Sequence, residues 1–276
     1  MDCISFVITR RCNAACQGCP VRKEYISMTP AVFEKAAGGL HFCLAHASKV
    51  KFFGGEPLLE FSVVRHGYDY LKENGFGGTF ELGTNGTLLD ACSAAWLADR
   101  PDMQVNFNAW FPPSANAAKI KNAIWNICIP PENPGLAAEK LVSLQKFLGR
   151  GPHRINLLPA AYCLWKPEQL ALLDSELRSI MSFIREKGLF LENLRRSGAS
   201  PLFNDGPAAD ADGKLYISNI CLAGMPAEMM EKFRYVPGKK RAVSVRDLIN
   251  VFGMKKIASS FAASRILQKH ISYMAN

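Results

Sequence analysis

The chain has 276 residues, 49% of them apolar, and a formal net charge of +9. That length and apolar share allow a sizeable core and exclude a disordered chain, and nine cysteines spread over so long a sequence exclude a small secreted disulfide framework. The basic residues fall in short clusters at Arg10-Arg11, Arg195-Arg196 and Lys239-Lys240-Arg241, which read first as a solvated surface and second as a face for an acidic partner, either nucleic acid or an acidic peptide.

Strand-like and helix-like segments alternate through the first two-thirds. Cys3–Thr9 reads as a buried strand, and Thr29-Pro30 as a cap and first helical position opening Ala31–Leu40. A short strand Val50–Phe53 precedes a helical pattern over Leu58–Asn74 that stops at Gly75. Strand Thr79–Leu82, helix Leu88–Ala98, strand Met103–Ala109, helix Ala115–Ala123 and strand Ile124–Ile129 follow. Helix Leu136–Leu148, strand Arg154–Leu158 and a long helix from about Glu168 to Lys187 complete six strand–helix units. The expected fold class is α/β, a partial (βα)6 barrel of parallel strands, with ligands at the carboxyl ends of the strands.

Beyond Leu191 the repeat breaks, so residues 1–190 are expected to form the core and 191–276 a C-terminal extension. Ser197–Asp212 is loop-like, Gly213–Asn219 reads as one arm of a hairpin, and Val245–Ile271 as basic amphipathic helices that pack on the core. No apolar run is long enough to span a membrane, and the start has no basic region followed by an apolar one. The expected location is cytoplasmic, where thiolates stay free to hold metal.

The chemistry concentrates on strand ends. Directly after the first strand comes Cys12-Asn-Ala-Ala-Cys16-Gln-Gly-Cys19, three soft ligands of the kind that suit iron–sulfur clusters and zinc. Three thiolates can hold three irons of a cubane and leave the fourth open. A structural zinc wants a fourth protein ligand, and the nearest histidine is His41. The cysteines alone leave both metals open. Strand Val50–Phe53 ends in Gly54-Gly55-Glu56-Pro57, where paired glycines allow close backbone approach and a carboxylate can accept from an ammonium group. Strand Thr79–Leu82 ends in Gly83-Thr84-Asn85-Gly86-Thr87.

With these three loops in this order, the chain resembles the radical S-adenosylmethionine (SAM) superfamily over about its first 190 residues. The resemblance implies one [4Fe-4S] cluster on Cys12, Cys16 and Cys19, with SAM on the open iron. It places Glu56 and its neighbours Gly54, Gly55 and Pro57 at the amino end of SAM, and Thr84 and Asn85 beside it. Asn106 and Asn108 stand where polar contacts to the SAM carboxylate or ribose are expected, although the usual serine is absent. Gly18 replaces the aromatic residue often found before the last cysteine. The implied chemistry is one-electron cleavage of SAM to a 5′-deoxyadenosyl radical that takes hydrogen from a substrate. A one-electron donor such as flavodoxin or ferredoxin is implied as a partner.

Gly-Gly-Glu-Pro-Leu-Leu-Glu and Thr-Asn-Gly-Thr are most similar to the branch that modifies ribosomally made peptides, which implies a peptide or protein substrate. Asp210–Ser218 is similar to the entry hairpin of that branch's SPASM or twitch extension. Ser218 stands where a cysteine is expected, and the upstream cysteine would fall near Asn204. Cys163 and Cys221 are too few to build an auxiliary cluster, so a hairpin without one is expected. Cys3, Cys43, Cys92, Cys128, Cys163 and Cys221 read as buried structural cysteines. Tyr162 and Trp165 read first as core residues and second as lining of the substrate mouth, Glu168 as a first-turn helix acid, and Asp205 and Asp212 as turn residues. Two further functions fit parts of the pattern. A glycyl-radical-enzyme activase shares the cysteine spacing, and a zinc-containing nucleic-acid-binding protein would use the cysteines and the charge.

Overall fold

The computed structural model describes residues 3–16, 19, 21–112, 114–149, 151, 153–195, 206–223, 225–239 and 242–275. The chain divides into two compact units. The first comprises Met1–Thr84, Leu88–Val105 and Asn204–Ser244, and the second Asn85–Thr87, Asn106–Phe203 and Val245–Asn276.

In the first unit, β1 (Cys3–Thr9), β2 (Lys49–Gly54) and β3 (Thr79–Thr84) pair in parallel, as the repeat predicts. β1 is buried at all but its first residue, Ser5 and Thr9 included, as expected of a mostly apolar strand inside a parallel sheet. The crossovers are α1 (Pro30–Gly39), a short α2 (His41–Leu44) and α3 (Phe61–Glu73). Thr29 caps α1 by accepting from the Val32 amide at 3.3 Å, with Pro30 in its first turn. Phe6, Phe33, Phe52 and Phe80 form a fully buried aromatic core, with Phe6 and Phe33 ring centres 4.4 Å apart and Phe52 stacked on Phe80. α3 can lie close because it carries Gly67, where a Cβ would stand 2.7 Å from the Phe33 ring.

Two boundaries differ from the sequence pattern for local reasons. The helix expected over Leu58–Asn74 is a 3-10 turn at Pro57–Glu60 followed by α3, because Glu60 leaves helical geometry (φ −127°, ψ 44°). The helix expected from Leu88 begins only at α4 (Ala91–Ala98), where Asp90 and Ser93 cap each other's backbone.

The other face of β2 and β3 carries charge. Glu81 is buried between Lys51 (2.8 Å) and Lys49 (3.2 Å). Burial pushes its carboxyl up, but Lys51 and Lys49 outweigh it and bring it from 4.5 down to about 2. A depressed carboxyl stabilises the fold fully above about pH 4.5 and loses that contribution as pH falls through about 2. Glu81→Gln is therefore expected to destabilise the protein at neutral pH, on the order of a few kcal/mol. In urea titrations the gap to wild type should narrow as pH falls below about 4.5 and close near pH 2; a gap independent of pH would contradict the pairing.

The C-terminal part of the first unit adds a hairpin. β8 (Ala208–Ala209) pairs in parallel with β1, and β9 (Leu215–Tyr216) returns antiparallel to β8. Gly213 turns it at φ +81° and Asp212 accepts from the Lys214 amide at 3.0 Å, the turn role the sequence suggests. Gly206 crosses the Cys3 carbonyl so closely that a Cβ would lie 1.7 Å from its oxygen. A short α7 (Ala227–Lys232) follows.

β4 (Met103–Asn108) begins in the first unit and ends in the second. The second unit contains β5 (Ala123–Ile129), β6 (Arg154–Pro159) and β7 (Phe190–Leu191), paired in parallel, with α5 (Leu136–Leu148) and α6 (Pro167–Lys187) as crossovers. The helix expected over Ala115–Ala123 shrinks to a 3-10 turn, Ala115–Lys119. Ile120 is already extended and leads into β5. α6 buries Leu173, Leu177, Ile180 and Ile184 and ends at Gly188 in the left-handed region. The C-terminal basic helices are α8 (Val245–Phe252) and α9 (Met254–Ala275), with α9 packed on α6. The α/β class with mostly parallel strands is as the sequence predicts. Among the described residues no helix is long and apolar enough to cross a membrane.

Candidate functional site

The cysteine loop leaves β1 from a tied base. Met28 donates its amide to the Ile8 carbonyl (2.8 Å), Arg10 to Ile26 (2.9 Å) and Glu24 to Arg10 (3.3 Å), so residues 24–28 run back along 8–10. Thr9 and Ser27 hydroxyls are 2.8 Å apart, and Ser27 and Arg11 both donate to Glu60, at 2.8 and 3.0 Å. Within the loop the Cys19 amide donates to the Cys16 carbonyl at 3.4 Å, and the Lys23 ammonium to the Ala14 carbonyl. Cys12 and Cys16 are half-buried and Cys19 is exposed. Burial pushes the Cys16 thiol up, and Cys19 and Cys12 push it further. Negative charge on its neighbours thus raises the cost of ionising Cys16, a repulsion that a bound metal centre relieves. Three soft thiols on one tied loop are a donor set that fits an iron–sulfur cluster. Among the described residues no three His, Cys, Asp or Glu side chains gather around a single ion position. Gly18 lies outside the described residues.

The end of β2 is laid against that base. Gly55 donates its amide to the Thr9 carbonyl at 2.7 Å and Glu56 to the Arg11 carbonyl at 2.9 Å. A Cβ on Gly54, at φ +142°, would meet the Thr9 oxygen at 2.2 Å, and one on Gly55 the Arg11 oxygen at 2.1 Å. The backbone that approaches these glycines closely is the chain's own, the segment leading into Cys12.

Glu56 is fully buried. Its Oε1 accepts from the Leu58 amide at 3.0 Å, capping the turn that Pro57 opens, and from the Thr84 hydroxyl at 2.6 Å. The Glu56 carboxyl therefore ties the end of β2 to the end of β3. Cys12, Cys16, Cys19, Gly54, Gly55, Glu56, Pro57 and Thr84 all belong to the first unit.

Asn85, Asn106 and Asn108 belong to the second. Asn85 Oδ1 accepts from the amide and hydroxyl of Thr87, at 2.9 and 2.7 Å, and Gly86 completes the turn at φ +72°. Asn108 Oδ1 accepts from the Trp110 amide at 3.1 Å, and Asn106 is buried on β4. Asn126 and Asn156, in register on β5 and β6, join amide to amide at 2.8 Å. Sequence reading passed over that pair, because each asparagine sits singly in an apolar strand.

The largest omission is Arg10. Sequence places it in a surface cluster, yet its side chain is buried. Nε donates to Asp210 Oδ1 at 2.9 Å and Nη2 to Oδ2, with Glu24 3.8 Å from Nη1. No local signal announces a partner 200 residues away.

The hairpin residue Ser218 is buried, and its hydroxyl accepts from the Ile220 amide at 3.3 Å. Asn204, Asp205 and the Cys221 side chain lie outside the described residues. Trp165 is a core residue, as expected, donating Nε1–H to the Ala160 carbonyl at 2.9 Å, and Glu168 is a first-turn acid of α6. Tyr162 is the one non-glycine with positive φ (63°) among the described residues, and its ring stacks on Phe252 at 4.2 Å. Of the other cysteines, Cys43 is buried as expected and Cys3, Cys128 and Cys163 partly so. Cys92 is exposed, because it falls on the solvent side of α4.

No protein-family model and no curated protein sequence matches the chain. Solved structures do. "Native anSMEcpe with bound AdoMet" superposes with a TM-score of 0.61 at 15% identity, covering 94% of this chain and 83% of the other. "Native anSMEcpe with bound AdoMet and Cp18Cys peptide" gives 0.61 at 15% identity, covering 95% and 84%. Streptococcus suis SuiB bound to precursor peptide SuiA gives 0.58 at 12% identity, covering 92% and 70%. At this identity the likeness is one of fold, and the chain shares that α/β fold along nearly its whole length.

Proposed function

We propose that the chain is a radical SAM enzyme acting on a ribosomally made peptide or protein. The observation that carries this reading is the union of two loops: a tied loop of three thiols, hydrogen-bonded through Thr9 and Arg11 to the Gly55 and Glu56 amides. It is supported by a fold shared with proteins solved with AdoMet and, in two cases, with a peptide.

In this reading Cys12, Cys16 and Cys19 hold one [4Fe-4S] cluster. Glu56 and its neighbours Gly54, Gly55 and Pro57 hold the amino end of SAM, with Thr84 beside it. When bound and reduced, the cluster supplies the electron that splits SAM into methionine and a 5′-deoxyadenosyl radical, which abstracts hydrogen from the substrate. The chain's own part is placement. The 8–10/24–28 ladder fixes where the thiols emerge, and the Thr84–Glu56 bond fixes the Glu56 carboxyl at the end of β2. Residues 1–190 carry this chemistry and 191–276 form an extension. The protein works in the cytoplasm, reduced by a flavodoxin- or ferredoxin-like donor.

The test is anaerobic purification and reconstitution, with iron, sulfide and zinc measured, followed by assay of 5′-deoxyadenosine with SAM and a reductant. Iron and sulfide with 5′-deoxyadenosine formation support the reading. Zinc without iron, or a cluster that leaves SAM intact, overturns it.

A further inference from the structure

The C-terminal half of α6 and the end of α9 enclose a groove of about 440 Å³ within the second unit. Its charge is one-sided. Arg178, Arg185 and Lys269 are exposed along it, and the only carboxylate among its near neighbours in the described residues is Asp174. That carboxylate is already shared by Arg178 (2.7 Å), His270 (2.9 Å) and Lys269 (3.5 Å). Of the other acids of this part of α6, Glu176 lies beside Gly135 and Glu186 pairs with Lys187. α9 contains no acidic residue over its 22 positions.

Arg185 is the informative residue. Its hydrogen-bond partner is the Met274 sulfur at 3.8 Å, a weak acceptor for a group that pairs in a fork with carboxylates. The groove is also greasy. Met181 and Met274 line it, and Tyr273, 65% exposed, stands at its rim. Thioethers adapt to varied apolar side chains and recur on peptide-binding surfaces.

We propose that the α6–α9 groove binds an acidic segment of the peptide substrate, in which carboxylates alternate with apolar side chains. This rests on the peptide-modifying reading and adds to it a recognition surface and a charge for the substrate. Arg185 and Lys269 take carboxylates while Met181 and Met274 take the apolar residues between them. A nucleic acid fits less well, because its affinity grows with each phosphate neutralised and the groove offers a short run of cations on an apolar floor.

The test uses the full chain, purified without oxygen, and fluorescence anisotropy with a labelled peptide alternating Glu and Leu. A Lys–Leu peptide and an oligothymidylate serve as comparisons. The Glu–Leu peptide should bind, weaken as salt rises from about 50 to about 300 mM, and bind at least about tenfold more weakly to Arg185→Glu/Lys269→Glu. Arg185→Ala/Lys269→Ala should show a smaller loss in the same direction, with circular dichroism unchanged in both variants. The proposal is overturned by absence of Glu–Leu binding, by binding indifferent to both variants, or by oligothymidylate binding as tightly and responding to the same substitutions. Substrate-free SAM cleavage, which these residues do not touch, is measured in parallel. Its absence from the wild-type protein counts against the enzyme reading alone.

Discussion

Cys16→Ala, reconstituted without oxygen, is expected to lack the iron–thiolate absorption of the wild-type protein and to form at least about a hundredfold less 5′-deoxyadenosine. The size follows from the ligand count. Three thiolates are the smallest set that still anchors a cubane with one iron left open, so losing one removes the centre. Cys16 is also the middle of the three proposed ligands, half-buried in a loop whose base is hydrogen-bonded at residues 8, 10 and 24. Alanine there should leave the fold intact, since that base does not use the Cys16 side chain. Cys43→Ala is the matched control. Cys43 is buried beside the Tyr235 hydroxyl at 3.0 Å, so its loss should cost stability and leave iron content unchanged. If Cys16→Ala still cleaves SAM, the ligand assignment is wrong.

Asp210→Ala is expected to destabilise the protein by about 3–5 kcal/mol, the usual result of stranding one half of a buried ion pair. Arg10 would lose its two-point partner, with Glu24 3.8 Å away, and the Ala211 amide would lose its acceptor at 2.7 Å. Asp210→Asn should lose less, because it retains an acceptor for the guanidinium. Arg10→Met/Asp210→Leu should recover most of the deficit, since replacing both charges removes the desolvation penalty together with the attraction. Urea denaturation of the three variants decides the matter. A loss below about 1 kcal/mol for Asp210→Ala would mean that the pair is solvated like a surface bridge.

The elements read best from sequence are those whose burial is uniform or strictly periodic. β1 is mostly apolar and β-branched or aromatic and α5 a clean helical pattern, and both match residue for residue. Errors arise where a side chain overrides periodicity. Asp90 and Ser93 start α4 late, and the chain before β5 holds only a 3-10 turn where small residues suggest a helix. The candidate site was legible as three loops because each motif is contiguous. What joins them was not. The Thr84–Glu56 bond, the Gly55 and Glu56 amides on the cysteine-loop base, and the Arg10–Asp210 pair all link residues brought together by the parallel sheet or by the late hairpin. The reason for two consecutive glycines is likewise visible only with Thr9 and Arg11 in place.

The short β8 pairing has a consequence for how this protein can be dissected. β1 spans seven residues, and its outer flank is occupied by Ala208 and Ala209, with Pro207 taking the Ser5 amide at 3.0 Å. A fragment cut at residue 190 would bare that flank as a row of unsatisfied amides beside an apolar strand, a ready template for stacking copies into aggregates. The late hairpin is thus a protective hem on the strand that delivers the cysteines, and trimming the tail to isolate a minimal catalyst would unravel solubility before it could reveal chemistry.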